Sequence, residues 1–392
     1  MTARAGTIGV MTGNDARKTS NQKLVDELHA TIEREGRITF EHFMREALYH
    51  PDHGYYVNAI ARPGREGDFI TAPEAHPIFG YTLARQIAQM VEILGNPEPF
   101  TIREYGAGSG TLALAILEGL QADRPEMRNT LRYEPVEFNQ LRLGELRDTL
   151  ITEGFGAQLA ETGDNPITGC IVANEFVDAF PVHRIEVRDG AIVEHYVVWR
   201  DDWFAEEVGP LSTAEVERYL TAEGIELVEG QRAEINLGLT EWIGEIAQRL
   251  KRGYVLLIDY GYRVEKLFGP DYREGTLRAY YQHTVSDNPF HAVGHQDLTA
   301  HVDFSALERA ARQHGLQVLG LTTQADFLTG AGIGELLVAA QQWEGMTLDE
   351  YVEIRSAVIR MIEPGAMGRF RVLILGRDVP ETPELIGLSV VS

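Results

Sequence analysis

The chain has 392 residues, of which 44% are hydrophobic and 24% are charged, and these ordinary globular proportions argue against extended disorder. Its 59 acidic and 35 basic residues give a net charge of −24, which disfavours nucleic acid and anionic membrane surfaces as partners because both would be repelled. The single cysteine, Cys170, excludes an internal disulfide framework and a cysteine-based zinc site, so we expect a cytoplasmic protein.

The N-terminal part of the chain predicts a tail followed by helices. Residues 1–20, rich in Gly, Thr and basic residues, predict a disordered tail. Residues 21–95 predict a helical segment, with apolar residues at helical spacing in 22–35, 40–48 and about 77–94 and a long loop over 51–77. No apolar run approaches the ~20 residues of a membrane span, so we expect no membrane insertion.

From Thr101 onward the pattern alternates between strand and helix. The predicted strands are 101–105, 131–134, 170–173, 254–258, 317–321 and 370–375, the last two as an antiparallel pair, and the predicted helices are 111–120, 137–151, 239–250 and 303–314. Asp189-Gly190 predicts the turn of a hairpin over 182–199. We therefore expect an α/β, Rossmann-like domain over 96–392 with an inserted β-hairpin region at about 182–238.

The segment from Glu104 to Gly110 carries Gly106, Gly108 and Gly110 between a predicted strand and a predicted helix. Glycines at such a turn let a nucleotide-like ligand approach the backbone, although a tight turn without a ligand has the same pattern. A dinucleotide is usually held by Gly-x-Gly-x-x-Gly. The Gly-x-Gly-x-Gly spacing with a preceding acid better suits S-adenosyl-L-methionine, which has a cationic sulfonium and ammonium and no phosphate.

Glu134 is placed at the end of the second predicted strand. A carboxylate at that position commonly accepts hydrogen bonds from both ribose hydroxyls, and an NAD enzyme would use the same device. The alternative interpretation is an acid at a helix N-terminus beside Pro135.

Asn174, Glu175 and Asp178 follow the strand predicted at 170–173. Polar residues at the carboxyl end of such a strand face the ligand crevice, so we predict that these three residues are catalytic. The alternative is a helix N-cap formed by Asn174. Histidines at 283, 291, 295 and 301 match no familiar ligand spacing, so no metal site is predicted.

Several separated stretches resemble the MidA family: 43–56, 67–73, 79–80, the glycine-rich loop, 174–181, 259–261 and 296–303. The resemblance covers most of the chain, about residues 38 to 375. It departs from the family pattern at Ala107, where proline is common, and at Val177, where a second phenylalanine is usual.

The resemblance implies a class I methyltransferase core that binds S-adenosyl-L-methionine. In that core Glu104, Gly106, Gly108 and Gly110 would surround the cofactor and Glu134 would meet its ribose. Gly67, Asp68, Phe69 and Thr71, in the helical N-terminal segment, would form a wall of the cofactor pocket.

The resemblance also implies a substrate, because the mitochondrial members of the family methylate an arginine of a respiratory complex I subunit. We therefore expect protein arginine methylation, with a respiratory NADH dehydrogenase subunit as a candidate partner and Glu175 and Asp178 as holders of the arginine. Two other functions remain open: a non-catalytic assembly or binding factor that retains the fold, and an NAD-type oxidoreductase. The sequence does not indicate the oligomeric state.

Overall fold

The computed structural model describes residues 13–57, 71–380 and 382–389. Over these residues the helices are α1 (Gly13–Thr19), α2 (Gln22–Glu35), α3 (Phe40–Tyr49), α4 (Ala72–Ala75), α5 (Ile78–Ile93), α6 (Thr111–Asp123), α7 (Gln140–Thr152), α8 (Ala214–Glu223), α9 (Gly238–Arg249), α10 (Val264–Leu267), α11 (Phe304–Gln313), α12 (Gln324–Gly330), α13 (Ile333–Ala340) and α14 (Leu348–Ile362). The strands are β1 (Ile38–Thr39), β2 (Phe100–Tyr105), β3 (Leu131–Val136), β4 (Ile167–Asn174), β5 (His183–Arg188), β6 (Ala191–Arg200), β7 (Trp203–Gly209), β8 (Arg232–Ile235), β9 (Leu250–Asp259), β10 (Gly261–Tyr262), β11 (Arg278–Tyr281), β12 (Thr284–Ser286), β13 (Asp297–Thr299), β14 (Val302–Asp303), β15 (Gln317–Thr323) and β16 (Arg371–Arg377).

A six-stranded sheet in the order β15-β16-β9-β4-β2-β3 forms the centre of the molecule. Strands β3, β2, β4 and β9 are parallel, and β16 is antiparallel to both of its neighbours. This arrangement is the α/β, Rossmann-like fold that the sequence predicts, and it agrees with the core that the resemblance implies. The predicted antiparallel pair of final strands is confirmed.

Alternating residues of the central strands supply two hydrophobic cores, one on each face of the sheet. On β4, Cys170 and Val172 pack with α5 and α6, whereas Ile171 and Ala173 pack with α9 and α11. This period-two burial explains why the parallel strands read as continuous apolar runs.

The N-terminal segment and the insertion pack together. Strands β5–β8 form a second sheet in which β6 also pairs with β1, and α2 and α3 share a third core with this sheet. The predicted hairpin is confirmed: Asp189 and Gly190 have φ of +54° and +72°, as a two-residue type I′ turn requires.

Some predicted boundaries differ from the structure. Residues 13–19 form α1 instead of a disordered tail, because Ala16 is buried in the third core and Ser20 bonds to it; residues 1–12 lie outside the described residues. Helix α5 belongs with the core of the central sheet, although it was predicted as part of the N-terminal segment. No described helix is long and apolar enough to cross a membrane.

Candidate active site

The glycine-rich loop joins β2 to α6 in left-handed backbone conformations. Gly106, Gly108 and Gly110 have φ of +69°, +54° and +88°, which favours glycine at all three positions. A Cβ on Gly106 would lie 2.8 Å from the Phe176 ring, and one on Gly110 would lie 2.8 Å from Leu146. A Cβ on Gly108 would meet no described atom closer than 4.0 Å. Packing therefore restricts the first and third glycines, while Gly108 presents open backbone to a ligand.

Glu137 lies directly after β3 and reaches the glycine loop. Its Oε2 accepts the Gly108 N–H at 2.8 Å and its Oε1 accepts the Asn139 N–H at 2.8 Å. Asn139 in turn caps α7 through Oδ1 and donates to the Tyr56 carbonyl at 2.8 Å. Sequence reasoning missed Glu137, because the predicted strand 131–134 was expected to end at Glu134.

Glu134 lies inside β3, which continues to Val136, so the predicted end of this strand was wrong. The Glu134 carboxylate accepts two hydrogen bonds from the Arg103 guanidinium, at 2.8 Å from Nε and 2.5 Å from Nη2. Arg103 is only 1% exposed, so Glu134 neutralises a buried cation. Its role as the ribose ligand stays a prediction.

Glu104 lies beneath the glycine loop and is 3% exposed. It accepts a hydrogen bond from the Tyr133 hydroxyl. Burial and, to a lesser extent, the charge of Glu137 raise the pKa of Glu104 to about 8. Neither acid forms an ion pair with a described lysine or arginine. Two neighbouring carboxyl groups that no described cation pairs with fit a positively charged ligand at this loop.

The turn after β4 wraps around the carboxylate of Asp259 at the end of β9. Asp259 Oδ2 accepts the backbone N–H groups of Phe176, Val177 and Asp178 at 3.1, 3.0 and 3.2 Å. Glu175 has φ of +46°, a conformation that non-glycine residues hold only where surrounding contacts fix it. Asp259 therefore positions the side chains of the 174–178 turn.

Asn174, Glu175 and Asp178 are brought together at the carboxyl end of the sheet, as predicted. Glu175 Oε1 accepts hydrogen bonds from Asn174 Nδ2 at 3.3 Å and from the Ala72 N–H, beside Thr71, at 3.4 Å. Desolvation raises the pKa of Glu175 to about 8 and that of Asp178 to about 6. Their catalytic roles stay predictions, as does the cofactor role of Thr71; Gly67, Asp68 and Phe69 lie outside the described residues.

Tyrosines from the N-terminal segment line the other side of this turn. The Tyr49 hydroxyl donates to the Ala179 carbonyl at 3.0 Å, and the ring stacks on Tyr56 with centroids 5.4 Å apart. The Tyr56 hydroxyl donates to Asp297 at 2.9 Å. Sequence reasoning did not select these residues individually, although Tyr49, Tyr56 and Asp297 lie in the stretches that resemble the MidA family.

Histidines give no metal cluster in the described part of the chain. No group of three or more His, Cys, Asp or Glu side chains there is placed to hold a metal ion. His301 packs against the rings of Tyr260, Tyr262 and Tyr272.

Known proteins resemble this chain over most of its length. A family model described as "Putative S-adenosyl-L-methionine-dependent methyltransferase" matches residues 82–322. A Burkholderia thailandensis protein, crystallised with S-adenosyl-homocysteine, is 30% identical and superposes with a TM-score of 0.86 over 98% of both chains.

Two animal proteins are similar as well. The mitochondrial protein arginine methyltransferase NDUFAF7 homolog of Drosophila melanogaster is 29% identical over 90% of this chain and 84% of its own length. Human NDUFAF7, also named a mitochondrial protein arginine methyltransferase, is 28% identical over 82% of this chain and 76% of its own length. These findings confirm the resemblance to the MidA family that the motifs indicate. The chain belongs to the family of S-adenosyl-L-methionine-dependent methyltransferases, and its cofactor is S-adenosyl-L-methionine.

Proposed function

We propose that this enzyme methylates an arginine side chain of a protein. The observation that carries the proposal is the pair of acids, Glu175 and Asp178, which flank Phe176 in the turn that Asp259 holds and that packs against Gly106 of the glycine loop. The names of the animal relatives support the same acceptor. Family membership favours this activity over the NAD-type oxidoreductase that the sequence left open.

The two acids suit a guanidinium acceptor. Arginine keeps its charge because its pKa is above ~12, so the enzyme must orient one nitrogen toward the methyl group and cannot depend on prior deprotonation. A carboxylate binds the planar guanidinium through two parallel hydrogen bonds and fixes its orientation. The cation would in turn stabilise the ionised forms of Glu175 and Asp178, whose pKa values are raised by desolvation.

The bound S-adenosyl-L-methionine supplies a methyl group on a sulfonium centre. Transfer would form an N–C bond as the S–C bond breaks, and the methylated nitrogen would give up one proton to a residue of the enzyme. We assign the acceptance of that proton to Glu175, which burial makes the more basic of the two acids and which the bound guanidinium would hold in its ionised form. Asn174 orients a ligand, because an amide is not appreciably basic.

On the cofactor side we favour Glu137 over Glu134 as the ribose ligand. Glu137 lies beside the open backbone of Gly108, whereas Glu134 is occupied by Arg103. A carboxylate directly after the second strand of the βαβ unit has the position expected for ribose binding.

The substrate is identified by a transfer assay. A lysate of a deletion strain is treated with the purified enzyme and isotopically labelled S-adenosyl-L-methionine, and mass spectrometry locates the labelled residue. We expect methylarginine in a protein, with a respiratory NADH dehydrogenase subunit as the first candidate. The label should be absent with Glu175→Gln. Labelled lysine, carboxyl groups or small molecules would refute the arginine assignment, and no transfer at all would favour the non-catalytic assembly factor. The cytoplasmic location remains a prediction.

A further inference from the structure

An aromatic cluster begins beside the proposed acceptor site. Tyr260 lies beside Asp178, since each side chain shifts the pKa of the other, and the Tyr260 ring centroid lies 5.7 Å from that of His301. The His301 ring also contacts Tyr262 and Tyr272, with centroids 5.8 and 5.2 Å away. These rings form one contiguous aromatic cluster, which begins beside Asp178.

Four cations lie near this aromatic cluster, and we name them the cationic face: Lys266, Arg278, Arg369 and Arg371. Lys266 Nζ and the Arg371 guanidinium lie 4.1 and 5.5 Å from the centroid of the Tyr262 ring. Burial lowers the pKa of the His301 imidazole to about 4, with the charges of Arg278, Arg369 and Lys266 contributing. These three cations therefore lie close to His301. Lys266, Arg278 and Arg369 are exposed and Arg371 is half-buried.

The cationic face forms no ion pairs with carboxylates in the described part of the chain. None of its four members makes an ion pair there, although the adjacent Arg263 pairs with Glu308 at 2.6 Å. At one edge of the face, burial raises the pKa of Tyr272, the charge of Arg369 lowers it, and the charge of Asp271 raises it. In a protein with a net charge of −24, such a region is a local site of positive potential that attracts anionic groups.

We infer that the cationic face binds an acidic stretch of the protein substrate that lies close in sequence to the arginine to be methylated. This inference rests on the proposed function, because the face matters for catalysis only if the acceptor is a protein. The acidic remainder of the enzyme would repel such a stretch, so the substrate is attracted in the one orientation that places acids on this face. A long polyanion such as RNA fits less well, since it would extend over the surrounding acidic surface.

Peptide binding tests the inference independently of turnover. Two fluorescent peptides contain a single arginine flanked by glutamates in one and by glutamines in the other, and anisotropy is measured in the presence of S-adenosyl-L-homocysteine. We expect the glutamate peptide to bind about tenfold more tightly at low salt, from several exposed charge pairs. The advantage should shrink as salt is added.

Charge reversal locates the effect. The triple variant Lys266→Glu, Arg278→Glu and Arg369→Glu should lose the preference for the glutamate peptide. The control Lys251→Glu, Arg355→Glu and Arg360→Glu makes the same change in net charge at exposed positions. Lys251 lies near the opposite end of β9 and the other two lie on α14. The control should retain the preference.

Different failures have different meanings. Equal binding of both peptides by the unmodified enzyme, equal loss in both triple variants, or tighter binding of a single-stranded oligonucleotide at this face would overturn the inference. Methyl transfer to the same peptides is measured separately. A preference for the glutamate peptide without transfer to any arginine peptide or protein would support the docking face and refute the proposed function. Transfer to the arginine peptides without a preference for the glutamate peptide would support the proposed function and refute the docking face.

Discussion

Replacing Glu134 and Glu137 separately should produce opposite phenotypes. Glu134→Ala removes the counter-ion of Arg103, which is 1% exposed and would keep only the Gly163 and Asn165 carbonyls as acceptors, at 3.0 and 3.4 Å. An uncompensated buried charge costs about 3 kcal/mol of folding free energy. Spread over the unfolding entropy of a chain of this size, that loss lowers the melting temperature by about 3–4 °C.

Glu137→Ala should instead weaken cofactor binding. Glu137 accepts two backbone N–H groups and is proposed to accept the ribose hydroxyls, and hydrogen bonds to a charged group are worth about 1.5–3 kcal/mol. That range corresponds to a loss of about 10- to 150-fold in affinity. The melting temperature should change less than in Glu134→Ala, because the released N–H groups are neutral and no buried cation is left without its counter-ion.

Calorimetric titration with S-adenosyl-L-homocysteine and thermal unfolding of both variants decide between the two acids. The reasoning fails if Glu134→Ala melts like the unmodified protein and loses cofactor affinity, while Glu137→Ala binds normally. That result would restore Glu134 as the ribose ligand. The same titration with NAD should give no comparable binding.

Three further predictions concern the same site. Gly108→Val should abolish binding of S-adenosyl-L-homocysteine in calorimetry, because φ is +54° and the side chain would fill the open side of the loop. The control Gly144→Val, at a position where a Cβ would meet no atom within 4 Å, should bind normally. Glu175→Gln should retain cofactor affinity and lower the rate of transfer to protein by at least about 100-fold, and a parallel loss of cofactor binding would instead place Glu175 in the cofactor site. Ionisation of Glu104 and Glu175 should destabilise the ligand-free enzyme as the pH rises from about 4.5 to about 8, because folding raises the pKa of both groups to about 8 and so favours their protonated forms. Thermal unfolding of Glu104→Gln and Glu175→Gln over this pH range identifies the contribution of each group. A contribution that raises the melting temperature with pH would contradict the predicted sign.

The central fold could be predicted from sequence because its signals are local. Strands such as β4 are buried on both faces and read as continuous apolar runs, and the glycines mark the turn after β2. The final helices α12–α14 and the small strands β10–β14 were not predicted. These strands are two to four residues long, too short for a periodic pattern, and their positions depend on tertiary pairing.

The acids of the site show the same limit in more detail. The 174–178 cluster was predicted because all its members follow one recognisable strand. Glu137 was missed because the strand was predicted to end at Glu134, whereas it continues to Val136. The pairing of Glu134 with Arg103 crosses from one strand to the next, so no inspection of either segment alone could assign that carboxylate to a buried cation.

Asn139 links the cofactor side of the site to the acceptor side. Its backbone N–H binds Glu137 and its side chain donates to the Tyr56 carbonyl, while Tyr56 stacks on Tyr49, which holds the carbonyl next to Asp178. The N-terminal segment is therefore attached to both halves of the site through a few hydrogen bonds. A methyl group is transferred only when donor and acceptor are aligned. These contacts place the N-terminal segment where it can set that alignment, and this explains why its tyrosines lie beside acids contributed by the central sheet.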